Sequence, residues 1–229
     1  MKYLSLVCSL LLSTLLGNHL AHAGIVVGAT RLVYPAVEKS VSLNLKNPDD
    51  SAYLVQSWLQ GPEGETTDLP FIITPPLFRF EAQQDNTLRV IRTSDQLPTD
   101  RESLFWLNVK SIGASTNPVN QVSNTLQIAV KTRIKLLYRP TAVAGIPEQA
   151  AQTLQWQRQG TRLTVNNPSA FYMNFKEILV GNTPLENVTY VAPKSSTTFV
   201  VPREAHGNTV SWRIINDAGG ASDSYQSAL

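Results

Sequence analysis

Cysteine and histidine are scarce in this chain of 229 residues, which has one cysteine and three histidines. Cys8, His19 and His22 all lie near the N-terminus, which leaves His206 as the only histidine, and no thiol, after residue 23. A serine or cysteine triad needs a base that titrates near neutrality, and zinc or copper needs several histidine or cysteine ligands. The sequence therefore predicts no such enzyme and no metal or other cofactor, and His206 is expected to be a surface residue in a loop.

Long apolar runs and glycine-rich phosphate loops are also missing. The apolar run Leu4 to Leu16 follows the positive charge of Lys2 and is too short to span a bilayer as a helix. Ala21-His22-Ala23 then supplies the small-x-small pattern that a signal peptidase accepts. We expect residues 1–23 to be a signal peptide, cleaved after Ala23, and the protein to be exported. An uncleaved anchor is the alternative, which the short run and the cleavage pattern disfavour.

The net charge is small. The formal charge is +2, and it falls to +1 if Lys2 leaves with the signal segment. Nothing in this balance suggests a nucleic acid or an anionic membrane as a partner. Two other sites stay open: calcium at Asp49-Asp50, although adjacent acids in a turn are ordinary turn formers, and a glycosidase pair made of any two converging carboxylates.

What the chain has instead is a succession of short apolar runs separated by turn residues. Apolar and polar residues alternate through Val41 to Leu45, Tyr53 to Trp58 and Thr87 to Arg92, and Leu104 to Val109 is almost continuously apolar. No window repeats apolar residues at helical spacing, so long amphipathic helices are not expected. Roughly seven short strands with turns between them are typical of an antiparallel sandwich.

A second half of the same kind follows a stretch rich in alanine, glycine and proline. Further strand-like runs, among them Tyr172 to Val180, lie beyond that stretch. The sequence therefore predicts an all-β protein with two sandwich domains in tandem. We place the first domain at residues 24–142, a linker at residues 143–152 and the second domain at residues 153–229.

One predicted strand, Thr125 to Tyr138, is unusually long. Its large aliphatic residues share one face by parity: Leu126, Ile128, Val130, Ile134 and Leu136. We expect Ile134 and Leu136 to lie in the core, whereas the start of the strand is expected to project beyond the sheet as an exposed apolar edge. Such an edge is an aggregation hazard unless it pairs with another chain. The alternative, that all five residues fill the core, stays open at this point.

Seven segments together resemble the periplasmic chaperones of the chaperone–usher pathway, which assemble type 1 and P-type fimbriae. The segments occur in the family's order and span nearly all of the chain after residue 23: Gly28–Arg31, Tyr53–Trp58, Thr74–Pro76, Leu97–Trp106, Asn124–Ala129, Arg133–Pro140 and Ile215–Asp217. The resemblance implies two immunoglobulin-like domains in an L or boomerang shape with a cleft between them. It also implies a binding protein and not an enzyme. The loop Ile112 to Ser123 is fairly short, as in the short-loop branch that builds rod-like pili.

The resemblance further implies roles for particular residues. The side chains of Leu126, Ile128 and Val130 would fill the groove of a pilus (fimbrial) subunit that lacks its own last strand. Arg31 and Lys135 would hold the subunit's C-terminal carboxylate in the cleft. An outer-membrane usher would then receive the subunit. Self-association of the free chaperone is left open.

Three more charged residues are implied to be structural: Glu102, Arg139 and Asp217 would tie the two domains together across the cleft.

Two rival functions remain at this stage. A secreted fimbrial subunit or adhesin usually carries a disulfide and an N-terminal donor extension, and neither is visible in the sequence. A sugar-active periplasmic enzyme would need a pair of carboxylates in a cleft, and no spacing in the chain favours one.

Overall fold

The computed structural model describes residues 24–113 and 128–229. The predicted signal peptide and Leu126 lie outside the described residues, as does most of the loop after Ile112. In the first part of the chain, the predicted alternating runs form strands. The strands are β1 (Val26–Val27), β2 (Arg31–Pro35), β3 (Ser40–Lys46), β4 (Tyr53–Gln60), β5 (Phe71–Thr74), β6 (Leu77–Phe80), β7 (Asp85–Arg92), β8 (Ser103–Gly113) and β9 (Ala129–Arg139).

These strands form two sheets that share one core. One sheet has the order β1-β3-β7-β5 and the other has the order β2-β9-β8-β4-β6. Because successive side chains alternate between faces, each sheet directs every second residue inward. Leu43 and Leu88 of the first sheet meet Leu107 and Leu136 of the second in a buried cluster. This is a sandwich of the predicted kind.

The chain changes sheets between β1 and β2, and the crossing depends on a glycine. The Gly28 N–H donates to the Asn44 carbonyl at 2.9 Å. A Cβ at residue 28 would lie 2.9 Å from the same oxygen, so no larger residue fits there without displacing the backbone. After the crossing, β2 joins the second sheet and pairs in parallel with the end of β9, placing Arg31 beside Lys135.

The second part of the chain begins with a short helix, α1 (Pro147–Ala150), and a 3₁₀ turn at Ala151–Thr153. Its strands are β10 (Gln155–Gln159), β11 (Arg162–Asn167), β12 (Met173–Val180), β13 (Thr183–Pro184), β14 (Tyr190–Val191), β15 (Ser195–Val200), β16 (Thr209–Ile214) and β17 (Tyr225–Ala228). One sheet has the order β10-β11-β15, and the other has the order β13-β12-β16-β17 with β14 also paired to β12.

These two sheets enclose a second core. Val165 and Phe199 come from one sheet and Met173 and Trp212 from the other, and all four are buried. Trp156 adds an indole whose ring centroid lies 5.1 Å from that of Trp212. The predicted fold class, an all-β protein with two sandwiches in tandem, is confirmed.

The sequence did not predict the shortest strands or the C-terminal strand. β17 pairs with β16, and the Tyr225 hydroxyl donates to the Glu148 carbonyl at 2.9 Å, which fastens the chain's end to α1. The residues around Tyr225 show no clear apolar alternation, so the sequence pattern alone does not identify them as a strand. The stretch assigned to the linker also contains α1, and Ala151 directly after it is buried in the second core.

Candidate functional site

The first element of the site is an unpaired edge along β9. β8 pairs with β9 from Ala129 to Tyr138, whereas β2 covers its other side only from Lys135 onward. In the part of the chain that the structure describes, residues 129–134 therefore have one strand neighbour and one open edge. At about 3.3 Å per residue, this edge offers roughly 20 Å of unused backbone donors and acceptors. A further strand can add to the sheet there.

An exposed apolar row accompanies the open edge. Ile128 is 67% exposed and Val130 is 46% exposed, whereas Ile134 and Leu136 on the same face are buried in the core, as the sequence predicted. The expectation that the strand projects beyond its sheet is wrong for the described residues. β8 is equally long and accompanies β9 as far as the pair Ile112 and Ala129, so the apolar row is exposed at a lateral edge instead.

Arg31 lies at the end of this edge with unused hydrogen-bonding capacity. Its side chain is held by one bond, from Nη1 to the Ile215 carbonyl at 2.8 Å, and the residue is only 8% exposed. The Arg31 Nε is buried and has no hydrogen-bond partner among residues 24–113 and 128–229. Burial lowers the pKa of Arg31, while the charges of Asp217 and Glu102 oppose that effect. A buried guanidinium with an unused N–H is suited to receive an anionic group.

Lys135 is the register neighbour of Arg31, and residues of both domains surround its ammonium group. Nζ donates to Asn174 Oδ1 at 2.5 Å and lies 5.7 Å from the ring centroid of Trp106 and 4.7 Å from that of Tyr190. Burial, and then the charge of Arg31, lower the pKa of Lys135 to about 8. The ammonium is therefore protonated at neutral pH but is held in an environment that does not fully compensate its charge.

Asn174 holds Lys135 without neutralising it. The Asn174 Nδ2 donates to the Tyr172 carbonyl at 3.3 Å, which fixes the amide so that its oxygen faces the lysine. An aspartate would place a full negative charge there, whereas the neutral amide oxygen orients the ammonium and leaves its charge for a ligand. The two cations, Arg31 and Lys135, are thus adjacent, partly desolvated and without an acidic hydrogen-bond partner among the described residues.

The third charged group links the two domains. Glu102 is 2% exposed, and its carboxylate accepts bonds from Arg139 Nε at 2.8 Å and from the Tyr172 backbone N–H at 2.7 Å. Its own backbone N–H donates to the Ala170 carbonyl at 2.9 Å. Burial raises the pKa of the Glu102 carboxyl, and the charge of Arg139 opposes that rise. Glu102 therefore contacts the second domain with both its backbone and its side chain.

Arg139 completes this link through a forked pair of bonds. Its Nη1 and Nη2 donate to the two carboxylate oxygens of Asp217 at 2.7 and 2.9 Å. The turn that carries Asp217 lies close to the first domain, because a Cβ on Gly219 (φ +86°) would come 2.3 Å from Thr30 Oγ1. The structure thus brings Glu102, Arg139 and Asp217 together beside the two cations of the cleft.

Sequence reasoning missed several contacts of the site. Asn174, Tyr190 and the Ile215 carbonyl all come from the second domain, and Trp106 comes from β8. For Asn174, the feature that could have indicated a functional residue is its position as a single amide between two apolar residues of a strand. No pattern in the sequence indicates which side chain that amide contacts.

The remaining candidates stand apart from the cleft. His206 is exposed in the loop between β15 and β16, as expected. Within residues 24–113 and 128–229, no three histidine, cysteine, aspartate or glutamate side chains are placed to hold a metal ion. No helix in the same ranges has the length and apolarity needed to cross a membrane.

Comparison with known proteins gives family matches for both domains. Residues 24–144 match the family described as pili and flagellar-assembly chaperone, PapD N-terminal domain. Residues 149–226 match the family described as pili assembly chaperone PapD, C-terminal domain.

Individual relatives extend over most of the chain. The chaperone protein FimC of Escherichia coli (strain K12) is 44% identical over 201 residues, which cover 87% of this chain and 82% of FimC. A chain in the solved complex of Salmonella enterica SafA pilin with the SafB chaperone is 36% identical, with a TM-score of 0.84 and coverage of 91% of this chain and 97% of that chain. The crystal structure of the periplasmic chaperone SfaE is 40% identical, with a TM-score of 0.78 and coverage of 90% of this chain and 100% of that chain.

Proposed function

The chain belongs to the PapD family of pilus-assembly chaperones, and we propose that it captures pilus subunits in the periplasm by lending them β9 as a missing strand. The observation that carries this proposal is the apolar row at an open sheet edge, ending beside two adjacent cations, Arg31, which is buried, and Lys135, which is half-buried. An edge of this kind is a hazard in a protein that acts alone. It becomes useful when a second polypeptide adds a strand and covers the row.

The apolar row supplies much of the binding free energy. Leu126, Ile128 and Val130 share one parity, so all three enter the same groove of an added subunit. Burying each side chain contributes about 1.5–3 kcal/mol, from which the ordering of both partners is subtracted. The backbone bonds along residues 129–134 align the two strands. The proposed activity is thus binding, with no catalysed reaction.

The cation pair, Arg31 and Lys135, fixes where the captured strand ends. A C-terminal carboxylate is ionised at neutral pH, and a guanidinium with an ammonium satisfies its two oxygens. The Arg31 Nε, buried and without a partner in the described part of the chain, leaves this guanidinium incompletely satisfied in the free protein. Holding a chain terminus here sets the register of the whole added strand, because the carboxylate is bound most strongly at this one place.

Membership of the family also bears on where the protein acts and on its other partners. Family membership supports export, with cleavage after Ala23, and transfer of the subunit to an outer-membrane usher. The open edge also supports self-association of the unliganded protein. Glu102, Arg139 and Asp217 hold the two domains, proposed at residues 24–142 and 153–229, at a fixed angle around the cleft.

Replacing Ile128 with asparagine tests the donor row. The substitution removes an apolar side chain from the groove and places a polar amide there, so we expect capture of a co-expressed pilus subunit to weaken by roughly tenfold to a hundredfold. Because Ile128 is 67% exposed in the free protein, the fold should be unaffected. The measurement is the amount of subunit that co-purifies with the chaperone from a periplasmic extract.

Ala129→Asn is the matched control for Ile128→Asn, since residue 129 is exposed and points to the opposite face of β9, where an amide adds no charge beside Lys131. It should retain most of the subunit. Equal losses from the two variants would show that the donor face is assigned wrongly. A wild-type protein that purifies without any subunit would instead support a free adhesin or an enzyme.

Capture should also depend on pH through Lys135. With a pKa of about 8, the free ammonium loses its proton as the pH rises through that value, and a neutral amine cannot pair with a carboxylate. We therefore expect full affinity below pH 8 and a fall of roughly tenfold per pH unit above it, until the higher pKa of the complex is reached. Lys135→Arg keeps its charge and should flatten the profile. An unchanged alkaline fall in that variant would assign the titration to another group.

A further inference from the structure

We propose that the outer face of β9 forms a cationic track, made of Lys131, Arg133 and Lys135, that guides the subunit's terminal carboxylate to its anchor. The inference rests on the proposed capture at Arg31 and Lys135, and it adds the route by which the carboxylate arrives. It assigns a binding role to Lys131 and Arg133, which neither the donor row nor the domain link uses.

The first observation is the charge of the sheet. The five strands β2, β9, β8, β4 and β6 contain no aspartate or glutamate. They carry seven cationic residues: Arg31, Arg79, Lys110, Lys131, Arg133, Lys135 and Arg139. Two of these are paired with acids outside the sheet, Arg79 with Glu81 and Arg139 with Glu102 and Asp217. The other five form a patch of one sign, although the protein as a whole is almost neutral.

The second observation is the spacing. Residues 131, 133 and 135 alternate along one strand, so their side chains share the face opposite the apolar row. The Cα atoms of neighbouring residues in this series are therefore roughly 7 Å apart, which is less than the screening length of about 8 Å at physiological ionic strength. A carboxylate leaving one cation is already attracted by the next. The series ends where Arg31 stands beside Lys135.

Two indole rings support the cations at the open end. The Lys131 Nζ lies 5.2 Å from the ring centroid of Trp58, and the guanidinium carbon of Arg133 lies 4.1 Å from that of Trp106. Contacts of this kind hold a cation over a ring face without using its N–H groups. Lys131 and Arg133 are exposed and make no ion pair with any described residue. Their donors are thus available to a visiting anion.

Binding of a carboxylate becomes stronger along the track, from Lys131 toward Lys135. At Lys131 and Arg133 a carboxylate meets exposed charges, which bind it weakly because water screens them. At Lys135 and Arg31 it meets two adjacent cations, of which Lys135 is half-buried and Arg31 is buried with an Nε that has no partner among the described residues. Weak sites followed by a strong one allow the carboxylate to move inward instead of being trapped on the way.

The cationic track also helps the added strand to reach the correct register on β9. A slip of two residues along β9 keeps every apolar side chain on the groove side, so alternation alone cannot reject it. A carboxylate held at Arg133 corresponds to such a slip. Because the anchor at Lys135 binds more strongly, the slipped state advances to the correct one, and the track supplies the intermediate positions.

The test measures association rates of a short fluorescent peptide that alternates valine and threonine and ends in a free carboxylate. For the variant Lys131→Gln with Arg133→Gln, we expect association about tenfold slower than wild type at low ionic strength, with little change in dissociation. The difference should shrink as salt is raised. The control, Lys46→Gln with Arg89→Gln, removes the same charge from exposed positions on the other sheet of the same domain and should associate at the wild-type rate.

The same peptide with a C-terminal amide separates guidance of the carboxylate from general attraction. The inference predicts that the amide peptide associates slowly with wild type and that the track variant changes its rate little. Equal rates for the track and control variants, or equal slowing of both peptides, would overturn it. Lys135→Ala distinguishes failure of the guidance role from failure of the anchor role. If Lys135→Ala binds the peptide with wild-type affinity, the proposed anchor is wrong. If only the guidance role is wrong, Lys135→Ala still weakens binding, while the variant at residues 131 and 133 associates at the wild-type rate.

Discussion

Replacing Lys135 with alanine is expected to weaken subunit capture by roughly 30-fold to more than 1,000-fold. The estimate corresponds to the loss of about 2–5 kcal/mol when one member of a desolvated charge pair is removed, at about 1.4 kcal/mol per factor of ten. Much of the effect comes from the bound carboxylate, which would remain in the cleft with Arg31 as its only cation. Arg31→Ala should have an effect of the same order, because the two side chains are neighbours across β2 and β9.

Equilibrium titration with a purified subunit, in parallel with Lys176→Ala, would measure this loss. Residue 176 is an exposed lysine of the second domain, so its removal changes the net charge equally without touching the cleft. The double variant at residues 31 and 135 should lose less than the sum of the single losses, since both residues serve one ligand. Affinity of Lys135→Ala equal to that of Lys176→Ala would contradict the anchor role.

The structure shows which kinds of information the sequence carried. The strands around Leu43, Leu88 and Leu107 were predictable because each has one buried face, and burial imposes a period of two. β2 was not predictable from its pattern, because it has only five residues and its pairing with β9 depends on residues about a hundred positions away. The C-terminal strand around Tyr225 escaped for a different reason: its partner β16 is near in sequence, but its own residues show no clear apolar alternation.

In the cleft, too, the sequence pattern predicts buried positions but not contacts between distant residues. Periodicity placed Ile134 and Leu136 in the core, which the structure confirms. The anchoring role of Arg31 and Lys135 followed from the resemblance alone and stays a prediction. The contact between Lys135 and Asn174 joins residues 39 positions apart on different domains. No local pattern encodes such a contact, because it depends on how the two sandwiches meet.

Glu102→Ala is expected to destabilise the protein by about 3–5 kcal/mol, the usual effect of removing one member of a buried ion pair. The Glu102 side chain is fully buried, and its loss leaves Arg139 with Asp217 alone. The Tyr172 N–H also loses its acceptor. Glu102→Gln should be milder, because an amide oxygen can still accept from Tyr172. Urea unfolding would measure both variants, and Glu81→Ala, which breaks an exposed pair with Arg79, should change little.

If Glu102 links the two domains, its removal should loosen the contact between them and not only lower the stability of the first domain. Glu102 bonds to Tyr172 and, through its backbone, to Ala170, and both residues immediately precede β12, the strand that carries Asn174. Loosening this contact should therefore expose the Tyr172 amide to hydrogen exchange and release Lys135 from Asn174, weakening subunit capture even where the variant remains folded. If Glu102→Ala lost stability but kept both the Tyr172 protection and the wild-type affinity, the cleft would not depend on this link. The anchor would then belong to the first domain alone.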